Sequence, residues 1–185
     1  MSYKSIILAS ASPRRAQLLS EAGYSFMVLP ANIDEVTQDC PLDTVLENAK
    51  RKARTLSLKH PNSLIIAADT IVCLNDKILE KPHDHEEAKQ MLQQLSGQSH
   101  SVYSAVSLQH SNENYSETFY EESRVSFKEL NETIIKEYHS KVNPLDKAGS
   151  YNIDEYGELI VDSIEGSYSN IMGLPMETLN KKIEN

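Results

Sequence analysis

The sequence predicts an α/β protein built around a mixed β-sheet, and three patterns lead to that prediction. Residues 64–73 form an almost continuous apolar run, which is typical of a strand buried on both faces. Residues 101–109 alternate in polarity and, together with 115–127, predict an antiparallel pair of long strands with polar outward positions. Helical patterns lie between the strands instead of forming a separate block. With no linker in the chain, these patterns predict a single domain over residues 1–185.

The chain opens with a predicted strand, turn and helix. Residues 6–9 are apolar and favour a short strand, and the amphipathic segment behind them ends at Gly23. Ser12 suits the N-cap of that helix and Pro13 suits its first position.

The same stretch has the composition of an anion site. Free amides at a helix start, the hydroxyls of Ser10 and Ser12 and the guanidiniums of Arg14 and Arg15 together suit phosphate. A well-capped surface helix with two solvated arginines explains these residues equally well, so the stretch alone leaves both interpretations open.

Two further elements precede the apolar run. Residues 26–30 favour a short strand, which leads into a polar turn with the adjacent carboxylates Asp34 and Glu35. Apolar residues recur at helical spacing through 41–57 and predict a helix there. The other face of that helix is expected to be solvated and carries Glu47, Asn48, Lys50, Arg51, Lys52 and Arg54.

Asp69 and Thr70 interrupt the apolar run at 64–73. A carboxylate inside a buried strand must be protonated, paired or bound to a metal, because an isolated buried charge is very costly. Asp69 is therefore a candidate functional group. A structural aspartate that caps a neighbouring turn is the alternative.

Short elements and turns alternate through the rest of the chain. Gly97 is expected to end one of the helices. We predict a hairpin turn at 75–77, a strand at 78–80, helices at 84–95 and 131–139, turns at 144–151, a strand at 159–164, a loop at 165–170 and a terminal helix that ends at Lys182.

Composition narrows the class of function. The chain has 27 acidic and 18 basic residues and a formal charge of −9. This balance argues against a protein that wraps nucleic acid, but it permits a small polyanion bound by a local cluster of cations. The two cysteines form no CxxC pair, and no signal or membrane-spanning stretch occurs, so we predict a soluble cytoplasmic protein without a membrane partner.

Familiar metal and phosphate motifs are missing from the sequence. His83 and His85 flank a predicted helix start, but a lone H-x-H is weak evidence for a metal, and no H-E-x-x-H or Cys/His cluster occurs. Zinc is therefore not expected. No G-x-x-x-x-G-K-[ST] motif or kinase glycine-rich loop is present, which disfavours a phosphotransferase.

The other candidate groups share one placement, near the end of an element or in a turn, where sites are usually built. They are residues 10–15, Asp34, Glu35, Lys52, Asp69, Lys81 and 147–149. Two carboxylates that can share a divalent cation, together with several cations for phosphate oxygens, are the groups that metal-assisted phosphoryl chemistry needs.

Eight short motifs extend this pattern along nearly the whole chain. They are LASASPRR at 8–15, Ile33-Asp34-Glu35, Lys50-Arg51-Lys52-Ala53, Ala67-Ala68-Asp69-Thr70, Glu80-Lys81-Pro82, LSGQSH at 95–100, DKAGSY at 146–151, and Gly166-Ser167-Tyr168 through Gly173-Leu174-Pro175. In content and order they resemble the Maf family of nucleotide pyrophosphatases.

The resemblance implies a reaction and a fold. The reaction is hydrolysis of a nucleoside triphosphate to the monophosphate and pyrophosphate, assisted by Mg²⁺ or Mn²⁺. The fold is an elongated α/β, ITPase-like domain with flanking helices and two lobes around a central cleft, usually in a homodimer. A stable complex with nucleic acid is not expected.

The resemblance also implies roles for individual residues. Asp69 would accept the proton of the attacking water and share the metal with Glu35. The phosphate-binding residues would be Ser10, Arg14, Arg15, Lys52 and Lys81, with Lys147 beside the nucleotide.

Three positions bear on the choice of base. Arg14 and Thr70 match the branch that resembles dTTP/UTP pyrophosphatases, whereas Asp154 stands where that branch usually has Gln and the 7-methyl-GTP branch has Glu. A carboxylate only accepts hydrogen bonds, while Gln both donates and accepts. Two of the three positions favour pyrimidines, so we predict dTTP and UTP, with 7-methyl-GTP as the alternative.

A different class of function uses the same residues. The protein would bind nucleotides without turnover and regulate cell division through a partner. Glu35, Asp69 and the lysines are all present, although a pure sensor would not need them. The enzyme is therefore the preferred hypothesis.

Overall fold

The computed structural model describes residues 5–184. The strands in this range are β1 (Ile6–Leu8), β2 (Met27–Val28), β3 (Leu64–Leu74), β4 (Lys77–Leu79), β5 (Ser99–His110), β6 (Tyr115–Phe127) and β7 (Val161–Glu165). The α-helices are α1 (Pro13–Glu21), α2 (Pro41–Ser57), α3 (His85–Leu95), α4 (Glu132–Lys141), α5 (Tyr168–Ile171) and α6 (Met176–Glu184). Two 3₁₀ turns occur at Ala148–Ser150 and Gly157–Leu159.

All seven strands belong to one mixed sheet, in the order β2-β1-β3-β5-β6-β7, with β4 paired to β3. β1 is parallel to β2 and β3, and the other pairs are antiparallel. The mixed sheet with flanking helices confirms the predicted fold class.

One edge of β3 is only partly paired. β1 pairs with residues 64–66 and β4 pairs with residues 72–74, while β5 follows nearly the whole opposite edge. Residues 67–71 therefore lie between two partners on the first edge. This gap in the sheet contains Asp69 and Thr70.

Helices cover both faces of the sheet. On one face, Val45 and Ala49 of α2 pack against Ile71 and Ala105. On the other face, α1 and α6 pack their apolar residues against β1, β3 and β5. A further cluster joins α3 and α4 to the far ends of the long strands.

Some element boundaries agree with the sequence and some expectations are wrong. The bounds of α2 and β6 are those predicted. Two polar positions of β5, Ser104 and Ser107, do not face water, because α5 and α2 cover them and both are fully buried. The predicted loop at 165–170 contains the first residues of α5. The polar face of α2 is not uniformly solvated, since Asn48 is buried against β3.

Within residues 5–184, no helix combines the length and the hydrophobicity that a membrane span requires.

Candidate active site

A cleft of about 580 Å³ opens where β3 lacks a strand partner. One wall comes from residues 9–15 and the middle of β3, and the other comes from residues 146–155. The charged residues in the lining are Arg14, Arg15, Glu35, Lys52, Asp69, Lys81, Asp146, Lys147 and Glu155. The lining contains every residue to which the resemblance gives a role except Asp154, and of the wider candidate groups Asp34 and Gly149 are not part of it.

Asp69 lies on the face of β3 that α2 covers, and it is only 6% exposed. Lys52 Nζ is 2.6 Å from its Oδ1, and Asn48 Nδ2 donates to its Oδ2 at 3.3 Å. Asn48 and Lys52 are one helical turn apart and therefore share a face of α2. The buried carboxylate thus has a cation and an amide as partners, as the cost of an unpaired buried charge requires.

Lys52 connects Asp69 to Glu35. Its Nζ is also 2.5 Å from Glu35 Oε1, so one ammonium group bridges two carboxylates. Partial burial by itself would raise the pKa of Glu35, but the hydrogen bond and charge of Lys52 outweigh it and hold that pKa below its ordinary value.

Arg15 is tied into the wall of the cleft. Its Nε donates to Gly173 O at 2.8 Å, its Nη1 donates to Ser10 Oγ and Ala68 O at 3.0 Å each, and its Nη2 donates to Thr70 Oγ1 at 2.9 Å. Ala68 lies in the gap of β3, so the guanidinium replaces a strand neighbour there. Four of the five N–H groups of Arg15 are thereby used, which leaves one for a ligand.

The N-terminus of α1 faces the cleft. Ser12 is its N-cap and Pro13 its first residue, as predicted, but the hydroxyl of Ser12 makes no capping bond. The Ser12 N–H donates instead to Ser10 Oγ at 3.2 Å. Ser10 Oγ accepts from Arg15 as well, so its own proton is left for a further acceptor.

Arg14 and Lys81 differ from the other cations of the cleft. Neither makes a hydrogen bond or an ion pair within residues 5–184, whereas Arg15 and Lys52 are bound on several sides. Arg14 is near enough to Asp146 for its charge to help lower the pKa of that carboxyl, although burial opposes the effect and Lys147 contributes more. These two side chains are free to meet an anion.

Lys147 is 7% exposed on the opposite wall. Its Nζ donates to Asn143 O at 2.9 Å and to Asp146 Oδ1 at 2.8 Å. Both partners come from the turn that carries the lysine, so this cation is fixed locally.

Asp154 lies outside the cleft lining. It is exposed, and Tyr168 Oη donates to its Oδ1 at 3.4 Å. The neighbouring Glu155 does line the cleft, and its Oε1 accepts from Asn152 Nδ2 at 3.2 Å. The acceptor that this segment presents to the cleft is therefore Glu155, which the sequence had not singled out.

The cleft combines a buried carboxylate, a lysine that bridges two carboxylates, and cations without partners in the described part of the chain, in agreement with the motifs of the sequence. The whole chain matches the family of Maf-like proteins over residues 5–185. The chain belongs to this family.

Named relatives of this Maf protein are similar over nearly their full length. The dTTP/UTP pyrophosphatase of Pyrococcus furiosus is 43% identical over 183 residues, which cover 98% of this chain and 95% of that protein. A protein of the same name from Desulfotalea psychrophila is 43% identical over 182 residues, which cover 97% and 93%.

The fold has relatives among solved structures. A HAM1 protein from Coxiella burnetii superposes with a TM-score of 0.57 over 97% of this chain and 98% of that chain, at 15% identity. At this identity the similarity concerns the fold alone, and it agrees with the predicted fold class.

Glu35 and Asp69 are the neighbouring carboxylates of the cleft that would hold a divalent cation. Within the described range, no group of three or more His, Cys, Asp or Glu side chains is placed to hold a metal. Glu35 and Asp69 already share the cationic Lys52 Nζ between them. Mg²⁺ typically takes one or two carboxylates and completes its shell with phosphate and water. The donor set fits that pattern.

Asn48 is a residue that the sequence reasoning missed. Besides its bond to Asp69, its Nδ2 donates to Val36 O at 3.0 Å and its Oδ1 accepts from Val36 N at 2.9 Å. It therefore fixes the segment next to Glu35 against the strand of Asp69. Its spacing of four residues from Lys52 was the signal that placed it on the same face.

A second missed group stands behind the opposite wall. The rings of His100, Phe127 and Tyr151 pack edge to face with centroids 4.9–5.3 Å apart. His100 Nε2 is 2.7 Å from Tyr151 Oη, and burial lowers the pKa of His100 to about 4. Tyr151, which lines the cleft, is therefore held by a histidine that stays neutral at pH 7.

Proposed function

We propose that this Maf protein hydrolyses dTTP and UTP to the monophosphate and pyrophosphate. The observation that carries the proposal is the buried Asp69 at the cleft, paired with Lys52 and connected through it to Glu35. The names of relatives at 43% identity support the same substrates.

Asp69 is the proposed general base. Its Oδ2 accepts only the long bond from Asn48, so a lone pair is left for the proton of a water molecule. The water oxygen attacks the α-phosphorus, its proton passes to Asp69, and the bond to the bridging oxygen breaks with its electron pair on pyrophosphate. Lys52 keeps the carboxylate in place while the water is deprotonated.

Cations and hydrogen-bond donors around the cleft would hold the phosphates. Arg14, Lys81 and the Ser10 hydroxyl are the proposed first contacts, because none of them has its donors used up. The last N–H of Arg15, together with Lys52 and Lys147, would complete the set. Glu35 and Asp69 would help to hold a Mg²⁺ or Mn²⁺ ion, and such an ion would supply positive charge against the phosphate oxygens.

The choice of base is proposed to depend on Arg14, Thr70 and the segment of Asp154. Asp154 faces Tyr168, so the residue of this segment proposed to contact the base is Glu155, which lines the cleft. A preference for 7-methyl-GTP is the outcome that would reverse this assignment.

The remaining proposals concern the molecule as a whole. We propose that residues 1–185 form one domain, that the protein is a homodimer, and that it works in the cytoplasm. The resemblance supports the homodimer, and two free cysteines are compatible with a reducing compartment. Light scattering coupled to gel filtration would measure the number of chains in the particle.

Product analysis in ¹⁸O-labelled water tests the reaction. The full-length protein and Mg²⁺ are incubated with dTTP, UTP, CTP and 7-methyl-GTP, and the products are followed by ³¹P NMR. We expect monophosphate carrying one ¹⁸O and unlabelled pyrophosphate, fastest from dTTP and UTP. Release of orthophosphate, label in pyrophosphate, or tight nucleotide binding without any turnover would each contradict the proposal, and the last would favour the regulator.

A further inference from the structure

The segment that carries Glu35 is held in place by side chains of α2. Residues 29–38 belong to no helix or strand, and of residues 34–40 only Val36 is even half-buried. Apolar packing therefore does little to fix the position of this segment. Residues four apart share one face of a helix, so α2 can present a row of polar side chains to it. The row consists of Thr44, Asn48 and Lys52.

Asn48 and Thr44 bind different parts of the segment. Thr44 Oγ1 accepts from the Gln38 N–H at 2.8 Å. Asn48 Oδ1 accepts from the Val36 N–H at 2.9 Å, and its Nδ2 donates to Val36 O at 3.0 Å. Of the two, Asn48 is the one that also reaches β3, because its Nδ2 donates to Asp69 Oδ2 at 3.3 Å.

The orientation of the Asn48 amide is fixed by its partners. The backbone N–H of Val36 can only donate, so the atom that faces it must be the amide oxygen. The amide nitrogen then faces two acceptors, Val36 O and Asp69 Oδ2, and has one N–H for each. Turning the amide over would place its oxygen against both acceptors. Asn48 is only 2% exposed, so water does not compete for these bonds.

We propose that Asn48 is a positioning residue that sets the separation of Glu35 and Asp69. The inference rests on the proposed function, in which these carboxylates hold a divalent cation and Asp69 accepts a proton. Glu35 is the neighbour of Val36 in the chain, so one buried amide joins the backbone beside the first carboxylate to an oxygen of the second. Lys52 also connects the two carboxylates, but only through its own long side chain and the exposed side chain of Glu35.

Two donors from α2 also fix the plane of the Asp69 carboxylate. Lys52 Nζ binds Oδ1, and Asn48 Nδ2 binds Oδ2. Without the amide, the carboxylate can rotate and the backbone beside Glu35 can move away from it. We expect this change to affect cation affinity and rate more than nucleotide binding. The reason is that Arg14 and Lys81, which are proposed to meet the phosphates first, lie on other elements.

The test measures Mn²⁺ binding and turnover in full-length Asn48→Leu, which keeps the size of the side chain without the amide. Mn²⁺ binding without nucleotide is followed by EPR, and kcat and KM for UTP are measured at saturating Mg²⁺. We expect the Kd of Mn²⁺ to rise and kcat to fall by about tenfold each, with KM within about threefold of the wild type. Asn48→Ala removes the amide without adding bulk and should give the same result, so a folding defect of the leucine variant does not decide the test.

Thr44→Val is the matched control. Thr44 is buried on the same face of α2 and holds the same segment, but its partners are backbone atoms of Gln38 and Cys40 and not a carboxylate. The control should keep the Kd of Mn²⁺ and kcat within about threefold of the wild type. Equal losses in the control, wild-type values in both Asn48 variants, or Mn²⁺ binding that Glu35→Gln leaves unchanged would overturn the inference. Absence of turnover by the wild type would instead contradict the proposed function, and the Mn²⁺ titration would still decide the inference.

Discussion

The wall of the cleft that contains the middle of β3 differs from the wall formed by residues 146–155. On the first wall, Asp69 is held by Lys52 and Asn48 from a covering helix, over a strand that is paired along its other edge. On the second wall the chain runs through turns and 3₁₀ segments, and Lys147 is held by acceptors from its own turn.

The difference separates two tasks. Groups supported by helices and strands are positioned more accurately than groups on loops. The proposed chemistry therefore uses the first wall, because a small displacement of Asp69 would lower the rate of the reaction. In the proposed function the second wall would contact the nucleoside, and different side chains on the same turns could then change the substrate without disturbing Asp69.

The largest effect on stability is expected from Lys52→Met. The substitution leaves the Asp69 carboxylate buried without its cation, so the free energy of unfolding should fall by about 3 kcal/mol, as for other buried pairs that lose one partner. Urea denaturation measures the loss. Lys50→Met, an exposed lysine of the same helix, is the control, and equal stability of the two variants would show that the first wall does not depend on this pair.

The second wall should show a pH dependence that comes from His100. Its pKa is about 4 in the folded protein because it is buried, and about 6.5 in the unfolded chain. Between these values the unfolded chain binds a proton that the folded chain does not, so stability should fall as the pH drops from 6.5 to 4, by at most about 3 kcal/mol.

His100→Gln removes this titration and keeps a donor for Tyr151. Its free energy of unfolding, measured in urea at pH 4.5, 5.5, 6.5 and 7.5, should depend less steeply on pH than that of the wild type. His83→Gln, at an exposed position, is the control. If the free energy of unfolding of His100→Gln depended on pH as steeply as that of the wild type, the proposed role of His100 in this wall would be contradicted.

A smaller effect on stability is expected at Gly173, whose carbonyl accepts a hydrogen bond from Arg15 in the wall of the cleft. Its φ is +100°, and an added Cβ would lie 3.1 Å from Thr70 Oγ1 and 3.2 Å from Arg15 Nε. Gly23 has a φ of +83° with nothing within 4 Å, so it carries the backbone strain alone. Both Ala variants should lose about 1 kcal/mol of stability from strain, and only Gly173→Ala should also lose activity. Equal kcat/KM values for the two variants would be the contrary result.

The smallest effect is expected from Asp154→Gln. Its side chain faces Tyr168, so the ratio of kcat/KM for UTP to that for 7-methyl-GTP should change by less than about threefold. Glu155→Gln, which alters an acceptor inside the lining, should change that ratio more. The reverse order would restore Asp154 as the residue that contacts the base.

Much of the first wall was predictable from local patterns. The apolar run around Asp69 predicted a buried strand, and the spacing of apolar residues gave the bounds of α2. The polar side of α2 was misjudged because the spacing of apolar residues identifies the buried face of a helix. It does not show which polar residues at the edge of that face a neighbouring strand will bury. Asn48 lies on that edge.

Local sequence patterns could not predict the hydrogen bonds that fix the shape of the cleft. Arg15 donates to carbonyls 53 and 158 residues away, and backbone acceptors carry no sequence signal. The serines of β5 look like solvent positions until α2 and α5 cover them. The second wall has no periodicity, so Lys147 was a candidate only through its place in a turn and the resemblance, and the resemblance pointed to Asp154 where Glu155 lines the cleft.

The most direct test of the division between chemistry and binding is Asp69→Asn, assayed for both. Single-turnover hydrolysis of UTP with Mg²⁺ is measured by rapid quench, and the Kd of a non-hydrolysable UTP analogue is measured by calorimetry without a divalent cation, because Asp69 is also a proposed metal ligand. The account predicts a rate lowered by about a thousandfold, the usual contribution of a general base, with a Kd within about threefold of the wild type. A rate within tenfold of the wild type, or a loss of binding as large as the loss of rate, would contradict it.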